Sequence, residues 1–308
     1  MNMRVDDLQN FVAIAENGSL TRAAHELGIS QPTLSKSLAR LERELRTSLI
    51  TRRGRGIQLT PAGEAAVAYL RNAVLDVRDA MAALRDLRQG HVGTVRIGVG
   101  MGIPHALVST VCSSLIASGD ISIELLGGMS DSLAEAVVTG DADFAITGVR
   151  PMKAQRLEWT PLFHDPLIPI AQRSHPLVDA QKVSWRRLAQ ERWIVTNVGT
   201  ITRQWFDHQF RVRGLATPNR LVSLRGYPFS YEIAAATAAL LLVPRTLAWT
   251  MQESGFREIP RPRDWHSERV VGMLARSDSY MSSAARNVMA SMASSARRMF
   301  RESAIEEE

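Results

Sequence analysis

The chain has 308 residues, of which 45% are hydrophobic and 22% charged, with a formal net charge of +6 and one cysteine. That length calls for two or more compact units, since single domains usually run about 100 to 200 residues, and the composition excludes a long disordered tract. The opening MNMRVDDLQNF puts acids where a secretory signal needs an apolar core, no run approaches the ~18 apolar residues of a membrane span, and a lone cysteine excludes an internal disulfide, so a cytoplasmic protein is expected.

Residues 6 to 45 carry three short helical patterns whose apolar residues recur at i, i+3 and i+4, the spacing that turns one face to a core. The first holds Leu8, Phe11, Val12 and Ala15 and ends at Asn17-Gly18. Ser19 and Thr21 are caps for the second, which buries Leu20, Ala23, Ala24 and Leu27 before Gly28 stops it. The third starts at Ser30 with Pro32 in its first turn and runs on Leu34, Leu38, Leu41 and Leu45. A connection as short as Gly28-Ile29 predicts a helix-turn-helix. Residues 49 to 59, β-prone at both ends and broken by Gly54 and Gly56, read as a two-stranded wing with an arginine tip.

From Thr60 as cap and Pro61 as first residue, a long helix extends to about Gln89. Val67, Leu70, Val74, Val77, Met81 and Leu84 alternate along it by three and four, a heptad seam. This stripe either packs on its own domain or pairs with a second copy, and a helix this long between domains favours self-pairing.

Charge is placed unevenly. Only Lys36, Lys153 and Lys182 are lysines among 37 basic residues, and between residues 30 and 60 seven bases face two acids. Such a patch is the footprint of phosphate binding. On the third helix, opposite its leucines, stand Gln31, Thr33, Ser35, Lys36 and Arg40, with Pro32 among them, side chains suited to a major groove. Arg52, Arg53 and Arg55 at the wing tip suit the DNA backbone or a narrow minor groove. Double-stranded DNA is the expected partner, and two units joined through the long helix would read an inverted-repeat operator.

After Gly90 to Gly93 the texture becomes alternating strands and helices, an α/β region large enough for two lobes. Strands are expected over residues 94–99, 121–126, 144–147, 167–171, 193–196, 220–223, 240–243 and 270–275, and helices over 104–117, 130–139, 202–212, 231–239 and 282–301. Gly98-Val99-Gly100-Met101-Gly102 suggests a dinucleotide loop, but Ile103 stands where that fingerprint wants glycine. Pro104 fits better as the first turn of a helix whose N-terminus can hold an anion, and the junction from Thr196 to Thr202 has the same character. Cys112 sits at helical spacing among Leu107, Val108, Val111 and Leu115 and is expected in the core. His164-Asp165 and His175 fall in separate loops, and no catalytic triad, metal-ligand spacing or cofactor motif appears, so neither catalysis, a cofactor nor a metal is expected. An enzyme with a helical appendage would need a catalytic pair that is missing, and a plain solute-binding protein would have no use for a basic winged helix.

Residues 19 to 70 closely resemble the signature of LysR-type transcriptional regulators, through Ala23-Ala24, Ser30-Gln31-Pro32, Leu34-Ser35, Leu41-Glu42, Leu45 and Leu59-Thr60-Pro61-Ala62-Gly63. Weaker resemblance continues through Gly93 to Gly98, Gly140-Asp141-Ala142-Asp143 and Ser174-His175-Pro176-Leu177. The resemblance implies an overall α/β protein: a winged helix-turn-helix DNA-binding domain at 1–60, a linker dimerisation helix at 61–90 and an effector-binding domain at 91–308. That last domain would resemble periplasmic binding proteins, with lobe 1 over about 91–163 plus 265–308 and lobe 2 over about 164–264. It places a small-molecule effector near Met101, Gly102, Ser130, Thr147, Thr196, Thr200 and Thr202; the two junctions rich in Gly, Ser and Thr point to a small anion or acid there, with Arg150 or Arg203 to help neutralise it. It further implies a homodimer building to a homotetramer that bends its promoter, with RNA polymerase as a further candidate partner. Two departures stand out: Arg46 and Ile50 replace a common glycine and phenylalanine, and Thr237 and Ala239 hold places where glycines are frequent.

Overall fold

A computed structural model describes residues 3–53, 56–89, 93–117, 121–148, 156–197, 200–218, 221–224, 230–277 and 279–301. The chain divides into two compact units, the first made of residues 1–90 with a short segment around Tyr280, the second of the remainder.

The first unit begins with α1 (Val5–Asn17), α2 (Leu20–Glu26) and α3 (Gln31–Leu45). Gly18, at φ +57°, ends α1 in the left-handed conformation that an L side chain resists. The Ser19 and Ser30 hydroxyls accept the Arg22 and Thr33 backbone N–H groups and so cap α2 and α3. The three helices bury Phe11, Ile14, Ala23, Leu34 and Leu41 together with Leu49. A short antiparallel ribbon follows, β1 (Ile50–Arg53) against β2 (Gly56–Leu59), in register from Ile50 opposite Leu59 to Arg53 opposite Gly56. Glu42 fastens it to α3, its Oε1 accepting the Leu49 N–H at 2.7 Å.

The long helix α4 (Pro61–Gln89) enters under tight steric control. Thr60 Oγ1 accepts the Gly63 N–H at 3.0 Å and donates to the Ser48 carbonyl at 2.7 Å. A Cβ on Gly63 would lie 2.0 Å from the Leu49 carbonyl oxygen, so no other residue fits where the helix crosses the end of α3 and the wing.

The second unit holds two five-stranded sheets. One contains β3 (Gly93–Gly100), β4 (Ile121–Gly128), β5 (Phe144–Thr147), β6 (Leu157–His164) and β12 (Val270–Arg276), in the order β4-β3-β5-β12-β6, with α5 (His105–Ala117), α6 (Ser130–Thr139) and α11 (Ser283–Met299) nearby in sequence. The other contains β7 (Leu167–Gln172), β8 (Trp193–Thr196), β9 (Leu221–Leu224), β10 (Leu240–Pro244) and β11 (Phe256–Glu258), in the order β11-β7-β10-β8-β9, with α7 (Trp185–Leu188), α8 (Ile201–Arg211), α9 (Ser230–Thr237) and α10 (Arg245–Met251). The chain passes from one sheet to the other between β6 and β7 and returns between β11 and β12. Among the described residues no helix is long and apolar enough to cross a membrane.

Four elements escaped the sequence pattern: β6, β11, α7 and α10. Proline at position 161 disguises β6, but the strand forms the sheet's edge and tolerates the missing N–H beside a register shift at Val271/Gly272. The other three are seven residues or shorter, too brief for a period to emerge. Cys112, expected in the core, is only half-buried on α5, and burial raises its thiol pKa above the ordinary value.

Candidate nucleic-acid interface and ligand cavity

Helix α3 separates two faces. Leu34, Leu38 and Leu41 are buried, whereas Gln31, Pro32, Thr33 and Lys36 are exposed and Ser35 half-buried. The Thr21 hydroxyl donates to Gln31 Oε1 at 3.4 Å, and Thr33 shares a 2.8 Å hydrogen bond with the capping Ser30. Arg43 and Arg46 add exposed cations near the helix end. In the wing, Arg52 and Arg53 lie on β1, and Arg55 falls outside the described residues.

Arg40 departs from the expected groove-facing role. Its Nε and Nη2 both donate to Asp7 of α1, and Ser37 donates to the same carboxylate. Asp7 is only 1% exposed. Burial pushes its carboxyl upward, but the Arg40 and Ser37 hydrogen bonds outweigh that and hold it below the ordinary range. Arg40 therefore clamps α3 to α1, because a buried carboxylate needs a cation more than an exposed phosphate face does. Nothing local signals this pairing across 33 positions.

The seam of α4 splits in two. Val67, Leu70 and Val74 pack onto the core of their own unit, as does Ala73, while Val77, Met81 and Leu84 are exposed at 38%, 58% and 56%. Of the six residues expected on a pairing seam, the first three are thus partly covered within their own unit, where α4 packs on α1, and the exposed stretch is Val77, Met81 and Leu84.

In the second unit a cavity of about 460 Å³ opens between the two sheets. Its walls include Gly148 after β5, Trp159 on β6, Thr202 and Trp205 on α8, and Glu268 and Arg269 leading into β12. Thr202 is the one member of the expected effector set on these walls. Gly102 reaches them indirectly, its carbonyl accepting from Arg269 Nη2 at 3.3 Å. Met101, Ser130, Thr147, Thr196 and Thr200 do not line the cavity. Thr147 is fully buried beside Gly148. The Thr200 hydroxyl caps α8 by accepting the Arg203 N–H at 3.2 Å, donates to the Asn197 carbonyl at 2.9 Å and lies 2.8 Å from Thr196 Oγ1, so local bonds use it up. Of the two helper bases, Arg203 is held by Asp207 at 2.8 Å and Arg150 lies outside the described residues.

Arg269 and Asp165 sit where the chain crosses between the sheets. They are 8% and 0% exposed and form an ion pair. Asp165 also accepts the Thr246 N–H at 3.0 Å and the Thr246 hydroxyl at 2.8 Å, which joins α10 to the crossing. The guanidinium lies so close to Gly148 that a Cβ there would come within 2.0 Å of Nη2. The signal for this cluster was an acid directly after one strand and a base directly before another, at the two points where the lobes exchange the chain. Among the described residues no group of His, Cys, Asp and Glu is arranged to hold a metal.

Residues 5–64 match the bacterial regulatory helix-turn-helix proteins of the lysR family, and residues 88–297 match the LysR substrate binding domain. The chain is 29% identical over 294 residues to the HTH-type transcriptional regulator GbpR of Azospirillum brasilense, covering 94% of this chain and 86% of that one. It is 30% identical over 214 residues to the RuBisCO operon transcriptional regulator of Allochromatium vinosum, covering 70% of each. In fold it is similar to full-length OxyR from Pseudomonas aeruginosa, with a TM-score of 0.71 at 19% identity over 100% of this chain and 99% of that one. ArgP from Mycobacterium tuberculosis gives 0.68 at 19% identity, over 94% and 96%.

Proposed function

The chain belongs to the LysR family of bacterial transcriptional regulators, and on that premise we propose that it reads an inverted-repeat operator and alters promoter activity when a small acid fills the cavity between its two sheets. As a member it is a DNA-binding regulator with an effector-binding domain, not an enzyme. The observation that carries the operator reading is the exposed polar face of α3, with Gln31, Thr33 and Lys36 opposite a fully buried leucine row. Gln31 would pair with adenine and Lys36 with guanine or phosphate, while Arg52, Arg53 and Arg55 follow the backbone or the minor groove. Pairing through Val77, Met81 and Leu84 supplies the second half-site, and such dimers assemble into a tetramer that engages RNA polymerase in the cytoplasm.

The test is binding of the full-length protein to its own promoter and to random DNA across a salt series. Gln31→Ala should cost about 1 to 3 kcal/mol on the promoter and little on random DNA. Arg53→Ala should weaken both and lower the salt slope by about one unit. Equal loss on both sequences for Gln31→Ala would remove it from base reading, and an unchanged slope would remove Arg53 from the interface.

The effector reading is carried by the position of Thr202 and Arg269 on the walls of one cavity at the lobe crossing. A ligand acts only by binding two states of the protein unequally, and a site shared by both lobes has the means to do so. Thr202→Val should flatten the effector dose response and leave promoter binding intact.

A further inference from the structure

The walls of the cavity also speak to the class of molecule that fills it, taking the cavity as the effector site proposed above. Trp159 enters from β6 of one sheet and Trp205 from α8 beside the other. Each indole is fixed from behind. Trp205 Nε1 donates to the His266 carbonyl at 3.0 Å, and its ring meets Trp265 edge-on with centroids 5.2 Å apart. The Trp159 ring lies across Gly272 of β12, where a Cβ would sit 2.5 Å from Cζ2, so the strand leaves out a side chain at the place the ring occupies. Both indoles remain half-buried, with surface left for a neighbour.

Rigid, pre-placed rings lose little freedom when another ring packs on them, and aromatic pairs gain beyond the area they bury. Pro161, Leu167 and Ile201 continue the apolar lining. The polar groups are few. Thr202 brings a hydroxyl in the first turn of α8, and Arg269 brings a planar guanidinium, nine-tenths buried, whose Nε has no hydrogen-bond partner among the described residues. A fork of that shape matches a carboxylate. Asp165 already balances Arg269 and exposed Glu268 stands on the same walls, so among the described residues the lining holds no further cation to balance a second negative charge on a ligand.

We propose that the ligand of this cavity is an aryl acid of single negative charge, its flat ring against Trp159 and Trp205 and its carboxylate met by Thr202 and Arg269. At about 460 Å³ the cavity lies within the range of about 300 to 1,000 Å³ typical of sites for compact organic ligands. The full-length protein should be titrated with naphthalene-2-carboxylate and, separately, with hexanoate, following tryptophan fluorescence, melting temperature and promoter affinity. Naphthalene-2-carboxylate should quench saturably at one site per chain and raise the melting temperature, with hexanoate about tenfold weaker. Trp205→Leu and Trp159→Leu should each weaken the aryl acid by about tenfold while Trp205→Phe retains most of the affinity, an order that a general loss of folding would not produce.

Hexanoate binding as tightly as the aryl acid, with the same dependence on Thr202, would overturn the aromatic assignment and leave the cavity reading standing. Aryl-acid binding indifferent to both tryptophans and to Thr202→Val, or no saturable binding of naphthalene-2-carboxylate, would overturn the proposal. Binding as expected with no change in promoter affinity would support the ligand class and overturn the sensor reading.

Discussion

In the first unit, Gln31, Thr33 and Lys36 stand on one exposed face of a single helix, whereas in the second Gly148, Thr202 and Arg269 reach one cavity from three distant parts of the chain. The contrast separates two ways of holding function. On α3 the buried leucines carry the fold and the exposed polar residues are the ones proposed to bind, so each set is open to change without the other. At the lobe crossing one guanidinium holds Asp165, the Gly102 carbonyl and a cavity wall together, so under the proposed reading ligand affinity and stability would move together there.

The largest effect is expected where the first unit meets a second copy. Because Val74 is packed in its own core, Val74→Glu would damage the unit itself and report little on assembly. Met81→Glu with Leu84→Glu instead places two carboxylates per chain in the exposed part of the seam, which should abolish pairing by leaving charges buried and unpaired. Sedimentation should show a smaller assembly in place of the wild-type oligomer, with the helical content retained. An unaltered oligomer would move the interface away from α4.

Next comes Asp165→Ala. Removing one partner strands a buried guanidinium and frees the start of α10, so the second unit should lose about 3 to 5 kcal/mol in denaturant unfolding while the first unit's transition stays in place. A loss under about 1 kcal/mol would mean that water replaces the pair, as at an exposed bridge, and the contrast between the units would weaken.

Asp7 tests the same contrast from the other side, as a buried carboxylate of the first unit paired with the partly exposed Arg40. Its carboxyl is held below the ordinary 3.8 because the Arg40 and Ser37 hydrogen bonds outweigh the opposing effect of burial. A depressed folded value gives stability that is fully present above the unfolded value and is lost as pH falls through the folded one, so the first unit should weaken below about pH 4. Asp7→Asn should cost about 1.5 to 3 kcal/mol at neutral pH and flatten that acid limb. Arg40→Ala should reproduce the stability loss, and a reduced salt slope of DNA binding in that variant would restore Arg40 to the DNA face.

How much could be read beforehand follows the same division. The helices and wing of the first unit, and most strands of the second, announce themselves through Leu34, Leu38 and Leu41, through Ser19 and Ser30, and through short β-branched runs, because burial and capping are local patterns. The seam on α4 was legible as apolar but not as shared, since spacing does not say which half α1 covers. Hydroxyls at the strand-to-helix junctions misled for a related reason: Thr200 looks available in sequence, but a capping bond to the Arg203 N–H claims it first. Trp159, Trp205 and Arg269 become a cavity only through strand order, which no window of sequence contains.

The smallest effect concerns two helix ends, one in each unit. Arg46 closes α3 at φ +53°, and Ala238 follows α9 at φ +51°, both in the left-handed region that glycine occupies without strain. Arg46 stands where the family resemblance implies a glycine; near Ala238 the glycine places it implies are Thr237 and Ala239, and the left-handed residue is the one between them. An L side chain in this conformation costs about 1 to 2 kcal/mol, and glycine gives back roughly 0.5 to 1 kcal/mol through the extra freedom of the unfolded chain. Arg46→Gly and Ala238→Gly should therefore each stabilise their own unit by about 0.5 kcal/mol, read as a higher denaturant midpoint at unchanged slope. Arg46→Gly also removes an exposed cation beside α3, so its DNA affinity should fall slightly while its stability rises, whereas Ala238→Gly should leave promoter binding untouched. Destabilisation by either glycine would mean that the surrounding contacts, and not the backbone alone, favour the larger residue there.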